Sequence, residues 1–191
     1  MKLKLTILVI GLSLNFSFAQ MQPILIILKN GEHLQGIGKR KSTTMKFKAH
    51  IDAEPQEFKF SEIKSAEIQL VDRKRVKMKF YQTVDNDKFI SVDEDIIGNK
   101  VELYSRTFFY NSGGGFGMGG MQAVTNYYVK KPTEEKLLDL GQYSPLTNNL
   151  KGKVKEYFSD CKLLLEKLES RDFKVREGLN EIVTFYNESC E

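Results

Sequence analysis

The chain has 191 residues, 29 of them Lys or Arg and 25 Asp or Glu, for a formal net charge of +4. That near balance argues against a nucleic-acid scaffold and against long charged tails. Two cysteines and 41% hydrophobic residues likewise exclude a disulfide-dense miniature fold and a disordered chain.

Residues 1–19 read MKLKLTILVIGLSLNFSFA. Lys2 and Lys4 precede an apolar run from Leu5 to Leu14, and Ser17 and Ala19 stand three and one before a cut at Gln20. This is the layout of a secretory signal peptide, and its apolar core falls short of the roughly 20 residues of a spanning helix. No cysteine follows the cut to carry a lipid, and no later run is long and apolar enough to span. The expectation is an exported chain starting at Gln20, without a transmembrane span.

Strands come next. Pro23 to Lys29 is a continuous apolar run of central-strand type, and Asn30-Gly31 predicts a two-residue hairpin turn of type I′. Glu32 to Lys39 returns, with Gly36 and Gly38 marking a bend. Thr43 to Ile51 alternates apolar and polar residues, Glu57 to Phe60 is short, and Ser61 to Ile63 reads as one helical turn. Ala66 to Leu70 and Val76 to Phe80 alternate again. Lys88 to Val92 is a further strand, with Asp93 to Asp95 and Gly98-Asn99 read as a connection. The basic residues of this half (13 Lys and Arg against 7 Asp and Glu in residues 20–80) interleave with apolar ones, which is the wet face of a sheet rather than a nucleic-acid surface.

Lys100 to Tyr110 and Gln122 to Lys130 predict a long aromatic hairpin. Its tip is the glycine tract 113–120. Phe116, Met118 and Met121 in and beside that tract are the candidate partner contacts of a mobile loop. Thr133 followed by Glu134 and Glu135 predicts a helix that Gly141 stops. Val154, Tyr157, Phe158, Cys161, Leu164, Leu165 and Leu168 recur at helical spacing. After a break at Ser170 to Asp172, with Asp172 as cap, Val175, Leu179, Ile182, Val183 and Tyr186 form a second stripe. If a new helix starts at Ser159-Asp160, an antiparallel pair brings Cys161 to Cys190 and favours a disulfide. The alternative is one longer helix with two separated thiols.

Chemical motifs are sparse. Gly115, Gly117 and Gly120 match Gly-x-Gly-x-x-Gly, but inside a hairpin rather than between strand and helix, and no Lys-Ser/Thr follows. His33 and His50 are isolated, and no Gly-x-Ser-x-Gly occurs. Asp85 to Asp87 and Asp93 to Asp95 lack calcium-loop spacing. We therefore expect no catalytic, cofactor-binding or metal-ligating residues.

Three stretches resemble those of uncharacterised exported proteins of Bacteroidota: Phe18-Ala19-Gln20, the Leu28 to Glu32 hairpin, and Tyr157-Phe158-Ser159-Asp160-Cys161 with Phe185-Tyr186-Asn187-Glu188-Ser189-Cys190. The resemblance implies an exported Gram-negative protein of the periplasm or outer membrane, or a secreted one, and no known activity. The hairpin and alternating strands also resemble SH3-like or Lsm-like barrels in outline, a likeness that carries no function. The expectation is an α+β fold: an antiparallel, strongly bent sheet or partial barrel, then a C-terminal helical hairpin. Residues 1–19 would be the signal, 20–131 the β domain, and 132–191 a helical segment packed on it. The function expected is a non-enzymatic envelope binding module whose partner is another envelope protein or a cell-surface component, not nucleic acid. The competing reading is an exported enzyme or small-ligand carrier with a cleft between sheet and helices.

Overall fold

The computed structural model describes residues 21–70, 72, 74–111, 121–144, 146 and 149–190. Within them run β1 (Gln22–Leu28), β2 (His33–Arg40), β3 (Thr44–Lys48), β4 (Gln56–Lys59), β5 (Ile63–Gln69), β6 (Arg75–Thr83), β7 (Asn86–Ile97), β8 (Glu102–Asn111), β9 (Met121–Lys130) and β10 (Leu138–Gln142). Helices α1 (Asn149–Tyr157), α2 (Lys162–Ser170) and α3 (Asn180–Ser189) follow. The fold is α+β, strands first and helices last. All ten strands join one antiparallel sheet in the order β10-β9-β8-β7-β6-β5-β1-β2-β3-β4. It is open, with β10 and β4 as its edges.

Three apolar cores hold it. The first gathers Ile24, Ile26, Met45, Phe47, Phe60, Ile63, Met78 and Phe80 from β1, β3, β5, β6 and the 3-10 turn Phe60–Glu62. The second uses the other face of β6 to β9: Tyr81, Ile90, Val92, Tyr104 and Tyr128, with Leu137. The third lies between β8 to β10 and the helices, where Leu103, Val129 and Leu140 meet Val154, Phe158, Leu164, Leu168, Ile182 and Val183. Neighbours such as Phe80 and Tyr81, or Val129 and Tyr128, enter different cores because successive strand side chains point to opposite faces. Both helical stripes read from the sequence are in the third core.

Gly36 and Gly38 sit where a side chain would collide with β3: a Cβ would come 2.2 Å from Lys48 O and 2.7 Å from Lys46 O. The Asn30-Gly31 turn is wider than a two-residue loop. Only Gly31 has positive φ (91°), and Asn30 Oδ1 accepts the Glu32 amide at 2.9 Å.

Other local expectations need correction. β7 continues through Asp93 to Asp95, with a register irregularity at Asp95, because β6 pairs at Asp93, β8 pairs at Asp93 and Glu94, and cations face the carboxylates: Arg40 lies 3.1 Å from Asp93 and Lys79 3.7 Å from Glu94. The helix read from Thr133 to Gly141 is a turn followed by β10, so the sheet extends past residue 131. Its leucines divide between cores, Leu137 into the second and Leu140 into the third, which a strand allows and a helix stripe does not. The last helix starts at Asn180 rather than after Asp172. The intervening segment holds the 3-10 turn Val175–Glu177 and Gly178 at φ 108°.

The helical region breaks after Tyr157, and Cys161 caps α2 while Cys190 caps the C-terminus of α3. Sγ of Cys161 and Cys190 are bonded, with Cα atoms 5.5 Å apart. Tyr186 Oη donates to Asp160 Oδ2 at 2.6 Å, and burial, reinforced by this bond, pushes the phenol up to about 12. Among the described residues, no helix is long and apolar enough to cross a membrane.

Candidate functional site

The β8–β9 ladder has ten consecutive pairs, from Glu102 opposite Lys130 to Asn111 opposite Met121. β7 accompanies β8 only as far as Ser105, and β10 accompanies β9 only from Asn126 onward. Thr107 to Asn111 and Met121 to Thr125 therefore pair only with each other. At about 3.4 Å per residue, this two-stranded arm runs about 17 Å beyond its last pairing with β7 and β10.

The arm displays aromatic surface. Phe109 is 67% exposed and Phe108 41%. Arg106 stacks its guanidinium 4.7 Å from the Phe108 ring centroid, and Thr107 Oγ1 and Thr125 Oγ1 share a hydrogen bond of 2.9 Å on the arm's other face. Exposed phenylalanine on a narrow ribbon is costly to leave in water and is the kind of surface that partners cover. Of the predicted contact loop, Phe116 and Met118 lie outside the described residues. Met121 opens β9, and its side chain also lies outside them.

The root of the arm is locked. Lys130, only 4% exposed, places Nζ 2.7 Å from Glu102 Oε2 and also donates to the carbonyls of Lys131 (3.2 Å) and Pro132 (3.5 Å). Tyr104 Oη donates to the same Glu102 oxygen at 2.7 Å, and Tyr81 Oη lies 3.2 Å from Tyr104 Oη. Burial pushes the Tyr104 phenol far up, so it stays a neutral donor. A one-residue slip of β9 would turn Lys130 to the other face and strand a buried charge, so this network pins the register of the arm. In the sequence the signal was only a Glu and a Lys near the ends of two strands, which residue type alone cannot distinguish from surface charges.

Beside the root lies a charged belt. Burial raises the Asp93 carboxyl above its ordinary value, outweighing Arg40. Partial burial also raises the Asp95 carboxyl, against a hydrogen bond from Ser105, and the Asp93 charge adds to the rise. A folded-state value above the unfolded one means that the folded chain binds the proton more tightly. Asp93 therefore favours folding increasingly as pH falls from 7 through its raised value, and the effect is complete below the ordinary Asp value of about 3.9. Urea melts from pH 7 to 4 should show wild-type stability gaining on Asp93→Asn as pH falls. A constant difference would contradict this assignment.

His33 and His50 are both exposed, His50 beyond the end of β3. Among the described residues, no group of three or more His, Cys, Asp or Glu is placed to hold a metal ion. No family model matches the chain, and neither does any curated protein or solved structure.

Proposed function

We propose that the chain is an exported, non-enzymatic binding module of the cell envelope, and that the β8–β9 arm is its partner-contacting element. The observation that carries this reading is the arm itself: a ribbon free of other strands, rooted in a buried ion pair and presenting Phe108 and Phe109 to solvent. A pinned register fixes which side chains the ribbon shows, so a partner meets a preorganised surface. The partner class that suits exposed aromatics on a narrow ribbon is a protein of the envelope or a cell-surface component. The basis for export is residues 1–19, with the Cys161–Cys190 bond as the second support, because such bonds persist in oxidising compartments.

We read the sheet as two partial barrels curled towards opposite faces. β4 and β5 stand at opposite ends of the run β5-β1-β2-β3-β4, which laid flat would separate them by about 19 Å at the usual strand spacing. They are joined by the three residues Phe60–Glu62, which rise only about 6 Å. In the second half, Leu137, just before β10, bridges Thr83 at the end of β6. The arm leaves the second of these units.

Affinity capture from envelope extract tests the proposal. The mature protein should retain a stoichiometric partner that the double variant Phe108→Ser/Phe109→Ser loses, with both proteins melting within about 2 °C of each other because these side chains are on the surface. Equal retention by the two proteins, or no partner for either, would remove the arm from the account.

A further inference from the structure

A separate pocket lies in the helical layer, away from the β8–β9 strands. It is open to solvent, has a volume of about 440 Å3 and is lined by Lys151 of α1, by Arg171, Phe173, Lys174 and Arg176 after α2, and by Tyr143, together with the buried Leu168. The volume falls within the range of about 300–1,000 Å3 usual for small-molecule sites.

Its charge is one-sided. Four cations line it, and among the described residues no carboxylate does. Three nearby acids are engaged with other cations or shared. Glu169 bonds Lys155 and feels Lys151 only through space. Asp172 lies 3.9 Å from Lys167, and Glu177 alone serves both Lys174 (3.4 Å) and Arg176 (3.6 Å). Among the described residues, the Arg171 side chain has no ion pair and no hydrogen-bond partner. A cluster of cations repels itself, so an arrangement of this kind favours an anion that relieves the repulsion.

Arg171 also occupies the C-cap of α2 at φ 67°, and it is the one non-glycine residue with positive φ among those described. That position belongs by preference to Gly, because a Cβ crowds the backbone there. A strained residue kept where glycine would be easier points to a use for its side chain. Its guanidinium fork matches the paired oxygens of a phosphate.

We propose that this pocket binds a phosphate-bearing ligand, with the anion held by Arg171 and Lys151 and the organic part against Phe173 and Tyr143. The proposal does not rest on the role given to the arm. The same chemistry occurs in a soluble phosphorylated molecule and in a lipid headgroup, and the probes separate these sources.

Calorimetric titration of the mature protein uses inorganic pyrophosphate in one arm. In the other it uses phosphatidylcholine vesicles containing phosphatidic acid. The expected result is saturable single-site binding of pyrophosphate that Arg171→Gly weakens at least about tenfold, the scale of one lost charge-assisted contact. The melting temperature of that variant should be unchanged or raised, because glycine relieves the left-handed strain. A merely structural Arg171 would not combine lost binding with kept stability. Lys151→Ala should weaken binding about threefold, as expected for a point charge that lacks the bidentate fork of a guanidinium, and it carries the test if Arg171→Gly does not fold. Binding to the vesicles that both substitutions weaken, without pyrophosphate binding, assigns the headgroup as the source. Binding of neither probe, or equal binding by wild type and both variants, overturns the proposal.

Discussion

Replacing Cys161 and Cys190 together by Ala lowers the stability of the protein by about 3–4 kcal/mol. The bond links residues 29 apart in sequence, so its loss frees that loop in the unfolded chain and makes unfolding entropically easier. It also ties the start of α2 to the end of α3, the two ends of the last layer over the third core, and both cysteines are themselves buried there. For a domain of this size, the loss is a fall of about 10 °C in melting temperature. Urea melts of oxidised and reduced wild type should differ by the same amount. The intact mass of the two forms should differ by two protons. Coincident melts would show that the bond does not constrain the unfolded chain.

The second large effect falls on Asn187. Its Oδ1 accepts the amides of Lys100 and Val101, each at 3.0 Å, and its Nδ2 donates to the carbonyls of Val101 and Val183, each at 2.9 Å. One side chain of α3 thus satisfies three backbone groups at the β7–β8 connection. Asn187→Ala leaves those groups partly buried without partners, and at about 1–3 kcal/mol for each unsatisfied group we expect a net loss of about 3 kcal/mol after water has entered. Asn187→Asp keeps the acceptor but turns an oxygen toward two carbonyls, so it should not rescue. Gly98 is coupled to this site, because a Cβ there would lie 2.2 Å from the Asn187 amide group. Gly98→Ala should therefore destabilise, and combining it with Asn187→Ala should cost less than the sum of the two. Chemical denaturation of the three variants measures this, and strict additivity would show that the contact is not made.

The residue pattern made local alternation legible and left long-range consequences hidden. Met45 and Phe47, or Met78 and Phe80, announce one-sided strands by spacing alone, and the structure buries all four in one core. The pairing of Cys161 with Cys190 was legible because two apolar stripes flanked a break. Segment 133–141 misled because Thr133, Glu134, Glu135 and Gly141 carry good helix punctuation. Nothing local reveals that Leu137 bonds its amide to Gln82 O across the sheet. Asp93 to Asp95 misled for a related reason: three acids read as a loop until Arg40, 53 residues away, supplies the partner. The arm was half legible. The aromatic hairpin is announced by the residues from Lys100 to Tyr110 and from Gln122 to Lys130, but where β7 and β10 stop pairing is a tertiary fact, and so is the burial of Lys130 against Glu102.

The most direct test of the arm as the partner-contacting element is photocrosslinking from Phe109 in living cells. A photoreactive phenylalanine analogue at position 109 is compared with one at Leu163, which is 49% exposed on α2. The account predicts a discrete covalent adduct in the envelope fraction from position 109 and none from 163. No adduct from 109, or the same adducts from both positions, would contradict it.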